Sequence, residues 1–103
     1  MLIRVHTEDK SAVLDVAGRL VYGEPVRDLH SKVKDLVQDG VNQVVVCLTG
    51  VSYLDSSGIE SLLAAYRSCT ESGGTFQLDQ VEGAPRKVLR ITRLEELFGL
   101  KSE

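Results

Sequence analysis

Val44-Val45-Val46-Cys47-Leu48-Thr49-Gly50-Val51-Ser52-Tyr53-Leu54-Asp55-Ser56-Ser57-Gly58-Ile59 is the stretch whose reading decides the fold. Its first five residues form an apolar, mostly β-branched run without alternation, which predicts a strand covered on both faces. From Ile59 to Cys69 the chain is amphipathic, with Ile59, Leu62, Leu63 and Tyr66 on one helical face. Between the two, the residues around Asp55 read as the strand's exit loop meeting a helix N-terminus. Two adjacent hydroxyls, Ser56 and Ser57, therefore lie beside a carboxylate where the first backbone N–H groups of a helix are unpaired. The helix dipole is positive there, so the place suits an anion.

Two helix starts compete at this point. With Ser57 as N-cap, Glu60 falls at the third helical position and completes a capping box. With Asp55 as N-cap, Leu54 and Ile59 form a hydrophobic staple, and Ser56 and Ser57 become the first two helical residues. Ser56 is needed as a cap in neither case and keeps a spare hydroxyl. The simplest role for Asp-Ser-Ser-Gly is still to begin a helix. A nucleophilic enzyme is disfavoured, because no G-x-S-x-G elbow surrounds the serines. The only candidate bases, His6 and His30, fall on an edge strand and on a solvated helix surface.

Outward toward the N-terminus, Leu2–His6 reads as a first strand and Ser11–Ala17 as a second. Glu8-Asp9-Lys10 is the turn of an antiparallel hairpin, and Gly18 ends it. Pro25 occupies the first position of a helix that carries Val26, Leu29, Val33, Leu36 and Val37 and is capped by Gly40. The two main helices are expected over Val26–Gln38 and Ser57–Cys69. Toward the C-terminus, Gly73-Gly74 breaks the second helix and feeds a strand from Thr75 to Val81, with Phe76 and Leu78 on one side. Pro85 starts a short helix carrying Val88, Leu89 and Ile91. Thr92-Arg93-Leu94-Glu95 has capping-box spacing, and a last turn through Leu94, Leu97 and Phe98 ends at Gly99. The order β-β-α-β-α-β-α predicts an α/β fold, a mixed sheet of about four strands with helices packed against it.

The 103 residues suit one domain with its own core, 43% hydrophobic and 26% charged. A formal net charge of −3, with Arg and Lys scattered among acids, argues against direct nucleic-acid binding. No run is long enough to span a membrane, and the N-terminus lacks a signal-peptide core, so a cytoplasmic protein is expected. Cys47 and Cys69 have no metal-ligand spacing and are expected to be buried, reduced thiols. Neither a metal nor a cofactor is called for, and no Gly-rich phosphate loop is present.

The segment Leu48–Ile59 resembles the signature of the STAS domain, and more narrowly that of the stand-alone bacterial anti-sigma factor antagonists. The resemblance covers nearly the whole chain. Ala17-Gly18-Arg19-Leu20 resembles the family's glycine turn, Gly73-Gly74 its later turn, and Ile91–Leu94 with Leu97-Phe98 its C-terminal helix. Two positions depart from the pattern: Val21 and Cys47 stand where many members carry Asp, or Asp or Asn. The resemblance implies that Ser56 is phosphorylated and that Asp55, Ser56, Ser57, Gly58 and Ile59 meet the partner. It implies partner switching: the unmodified protein binds an anti-sigma factor that is itself a serine kinase, phosphorylation releases it, and a phosphatase resets it. The chain would then be substrate and ligand, not enzyme. The alternative is a STAS-like accessory subunit of a lipid-transport or sensory complex, without a phospho-switch. The presence of both serines favours the switch.

Overall fold

Asp9 adopts a left-handed backbone (φ 54°) and turns the chain back on itself. The turn pairs strand β1 (Leu2–Glu8) antiparallel with β2 (Ser11–Leu20), from Glu8 opposite Ser11 to Leu2 opposite Ala17. The computed structural model describes residues 1–101. After the hairpin come α1 (Glu24–Gln38), β3 (Gln43–Leu54), α2 (Ser56–Glu71), β4 (Thr75–Asp79) and α3 (Gly83–Ile91). The strands form one mixed sheet in the order β1-β2-β3-β4, with β3 parallel to both its neighbours.

Both crossover helices stop in the same way. The Gly40 and Val41 N–H groups donate to the Val37 and Leu36 carbonyls, and those of Gly73 and Gly74 to Thr70 and Cys69. These are Schellman closures, with glycine in the left-handed conformation (φ 94° and 83°) just past each cap. Pro25 is the second helical residue of α1, one later than expected, because Glu24 already takes helical geometry after the Gly23 cap.

The two longest strands overrun their expected ends. Gly18 does not end β2, which continues to Leu20 through register shifts against β3 at Asp15/Ala17 and Gly18/Arg19. Likewise β3 does not give way to an exit loop after Leu48. It runs on to Leu54, with Val51 and Leu54 buried and Ser52 and Tyr53 exposed. Each extension supplies the hydrogen-bond partners of the other, which is why neither is visible locally.

The expectation that Val44–Leu48 is covered on both faces needs correction. Val44, Val46 and Leu48 join Leu14, Phe76, Leu78, Leu29, Leu62 and Leu89 in one core. On the opposite face Val13, Asp15, Gln77 and Asp79 are exposed. Val45 and Cys47 lie in the middle of that face, and Cys47 is surrounded by strand and loop residues such as Arg4, Asp15, Thr49 and Gln80. Central position in the sheet shields them where no helix does.

The C-terminal segment also departs from expectation. Thr92 does not cap a further helix. Its hydroxyl donates back to the Val88 carbonyl at 2.8 Å, and the chain turns through Arg93 (φ 60°). Glu95, 4% exposed, is held by the Arg86 guanidinium at 2.7 Å rather than completing a capping box. The segment therefore docks as a series of turns. It seats Phe98, fully buried, edge-on to Tyr66 (6.2 Å) and Phe76 (5.9 Å). Ile91, one of the three apolar residues read on this helix, is 74% exposed, and Pro85 and Leu89 are the residues α3 buries.

Candidate functional site

Asp55 decides where α2 begins. Its backbone is extended (φ −102°, ψ −174°), and its Oδ1 accepts the Gly58 N–H at 2.8 Å, the geometry of an N-cap. The Asp55 carbonyl takes the first helical bond from the Ile59 N–H at 3.0 Å. The competing start at Ser57, with Glu60 completing a box, does not form. Leu54 and Ile59, before and after the cap, both pack into the core as the staple requires.

The second carboxylate oxygen reaches another element. Asp55 Oδ2 accepts the Tyr22 N–H at 3.0 Å, from the turn between β2 and α1. These N–H groups, Tyr22 first, favour the carboxylate and hold the Asp55 carboxyl below the ordinary range. One side chain thus fastens the β2–α1 turn to the start of α2. No sequence pattern announced the contact, since 33 positions separate the partners.

Directly after this clamp comes Ser56, exposed at the first position of α2, with no hydrogen bond to its hydroxyl among the described residues. The Ser57 hydroxyl is also unbonded among the described residues, but Ser57 is half-buried and lines a groove with Tyr22 and Val26. Gly58 is buried, and a Cβ there would collide with the Leu20 carbonyl, so glycine is required for the first turn of α2 to pass over the end of β2. Ile59 is half-buried. Of the five residues expected to meet a partner, only Ser56 is exposed; Asp55, Ser57 and Ile59 are half-buried, and Gly58 is inside.

Two exposed aromatics neighbour this corner in the chain. Tyr22 is 80% exposed, and Tyr53 is 44% exposed with the Arg19 guanidinium 5.3 Å from its ring centre. Arg19 and Tyr53 fall inside motifs quoted above without a role at the site, and Tyr22 is in none of them. The β2 extension that carries Arg19 alongside Tyr53 is the signal that was missing.

Elsewhere the structure offers little reactive chemistry. Cys47 and Cys69 are free, buried thiols, both pushed above the ordinary thiol range by burial; Asp15 and Asp79 add to the effect at Cys47. His6 and His30 are exposed, and His6 faces Asp15 at 3.9 Å. Among the described residues no cluster of His, Cys, Asp and Glu could hold a metal ion, and no helix is long and apolar enough to cross a membrane.

Comparison with known proteins adds to this geometry. A family model described as "Mlab, STAS domain" matches residues 3–100. The "Anti-sigma-B factor antagonist" of Staphylococcus aureus is 31% identical over 100 residues, covering 96% of this chain and 85% of the relative. A Thermotoga maritima structure, described as that of a candidate anti-sigma factor antagonist, superposes with a TM-score of 0.86 at 22% identity, over 98% of this chain and 86% of that one. The Bacillus cell fate determinant SpoIIAA in its phosphorylated form superposes with a TM-score of 0.70 at 20% identity, over 99% of this chain and 93% of that one. At these identities the two structures attest the fold.

Proposed function

The chain belongs to the STAS domain family, beside relatives named anti-sigma factor antagonists, and from that premise we propose that it is such an antagonist, working by partner switching at Ser56. As a single domain in the cytoplasm, the unmodified protein binds a serine-kinase anti-sigma factor and frees the sigma factor. The kinase then transfers the γ-phosphoryl of ATP to Ser56. A bond forms from Oγ to phosphorus as the bond to ADP breaks, and the hydroxyl proton leaves to the kinase. A phosphatase restores the serine by hydrolysis. The chain is ligand and substrate, needs no cofactor, and acts on neither nucleic acid nor membrane.

One observation carries this reading. Ser56 presents an exposed, unbonded hydroxyl at the first position of α2, while Asp55 beside it does the capping. Phosphate brings about −1.5 to −2 charges to this point. The helix N-terminus can hold that charge. The neighbouring Asp55 carboxylate is already committed to two N–H groups, which tempers the repulsion. A partner surface fitted to a neutral serine meets both bulk and an unpaired charge. A loss of about 2.7 kcal/mol, roughly a hundredfold in affinity, is enough to change partners. Asp55, Ser57 and the accessible edge of Ile59 complete the contact surface, with Gly58 beneath them. The existence of SpoIIAA in a phosphorylated form supports the idea that this fold accepts the modification.

The second reading, an accessory subunit of a lipid-transport or sensory complex, is kept open by the matching family model, which bears the name Mlab. Binding to a candidate anti-sigma kinase separates the two. Ser56→Ala should bind the kinase as the parent does, and Ser56→Asp should bind much more weakly. Equal binding by both variants, or by neither, would replace the switch with the accessory reading.

A further inference from the structure

Between α1 and α2 lies a groove of about 780 Å³. Val26 of α1 and Leu63 and Ala64 of α2 give it an apolar lining. Its rim is basic. Arg27, His30 and Arg67 line it and are exposed, and none of their side chains makes a hydrogen bond or ion pair with another described residue. Glu60 is the one carboxylate among its lining residues. Two arginines against one carboxylate run against a chain whose formal net charge is −3. On α2 the lining positions Ser57, Glu60, Ala64 and Arg67 recur every three or four residues, so a single ridge faces the groove. By the rise of an α-helix that ridge is about 15 Å long, the length of roughly three turns.

Two unpaired guanidinium groups beside an apolar floor suit a helix with an apolar stripe flanked by Asp and Glu. We infer that the α1–α2 groove docks an acidic amphipathic helix of the protein partner. The inference rests on the partner-switching reading only for the identity of that partner. Ser57 lines the groove, so a phosphate on Ser56 stands one residue from it. Its charge would repel the acids that Arg27 and Arg67 attract. Phosphorylation then acts twice, by blocking the serine surface and by weakening the docked helix.

The test uses the full chain labelled with ¹⁵N and two synthetic 14-residue peptides. Both peptides carry a leucine stripe at helical spacing, flanked by Glu in one and by Lys in the other; inorganic phosphate serves as a third probe. The expected result is that the Glu peptide alone shifts the amides of Val26, Leu63 and Ala64, more strongly at low salt. In Arg27→Glu/Arg67→Glu, with a retained amide spectrum, the Glu peptide should bind at least tenfold more weakly and the Lys peptide more tightly. Equal binding of both peptides to the parent, the same shifts from phosphate alone, or no shifts at millimolar peptide would each overturn the inference. The assay involves no kinase. If the Glu peptide binds but no kinase modifies Ser56, the groove stands and the switch falls; phosphorylation without peptide binding gives the reverse.

Discussion

Replacing Asp55 by alanine removes both anchors of the α2 start at once. The cap to the Gly58 N–H at 2.8 Å is lost, and so is the acceptor of the Tyr22 N–H at 3.0 Å. Loss of an N-cap costs about 0.5–2 kcal/mol. The Tyr22 bond lies at an exposed corner where water can replace the carboxylate, so it adds only about 0.5–1 kcal/mol. The sum is roughly 1–3 kcal/mol, which for a domain of this size lowers Tm by about 5–15 °C. Ser57→Ala should change stability by less than about 0.5 kcal/mol, because its hydroxyl caps nothing. Urea unfolding of the two variants beside the parent measures both differences. If Ser57→Ala proves the costlier substitution, the helix begins at Ser57 in solution and Asp55 is not its cap.

Three further outcomes follow from named contacts. Because the folded-state Asp55 carboxyl titrates below its unfolded value, its contribution is complete above about pH 4, the unfolded carboxylate range, and is lost as pH falls through the lower folded value. Asp55→Asn should therefore flatten the acid side of a stability-versus-pH curve; an unchanged acid limb would count against the clamp. Glu95→Ala leaves the half-buried Arg86 guanidinium with only the Val81 and Lys101 carbonyls, and should destabilise by about 1.5–3 kcal/mol by chemical denaturation, whereas a cost below about 1 kcal/mol would mean the ion pair is solvated. Gly58→Ala forces a methyl against the Leu20 carbonyl and should cost about 1–3 kcal/mol, while an alanine variant as stable as the parent would show that α2 can shift freely.

What could be read in the chain was what local chemistry determines. The hairpin at Asp9, the strand at Val44–Leu48 with Val44, Val46 and Leu48 in the core, the glycine stops after both crossover helices and the reach of Phe98 into the core all follow from neighbouring residues. The misreadings share a different cause. Thr49-Gly50 and Gly18 look like punctuation, yet β2 and β3 pair across both and continue to Leu20 and Leu54. Thr92–Glu95 has the letters of a capping box, but Arg86 reaches Glu95 from nine residues upstream and holds it where the carboxylate is buried. At the site, Asp55 and the unbonded Ser56 were legible. The Tyr22 clamp and the groove between α1 and α2 were not, since each joins surfaces that only the folded chain brings together.

The central claim is that Ser56 is a phosphoacceptor, and one measurement meets it directly. The protein is incubated with ATP and each candidate serine-kinase anti-sigma factor, then its intact mass is measured and the modified residue mapped by tandem mass spectrometry. The account predicts one added phosphate, located on Ser56 and absent from Ser56→Ala, with Ser57→Ala modified like the parent. Phosphate on Ser57 with Ser56→Ala still modified, or no phosphate from any candidate kinase, would contradict it.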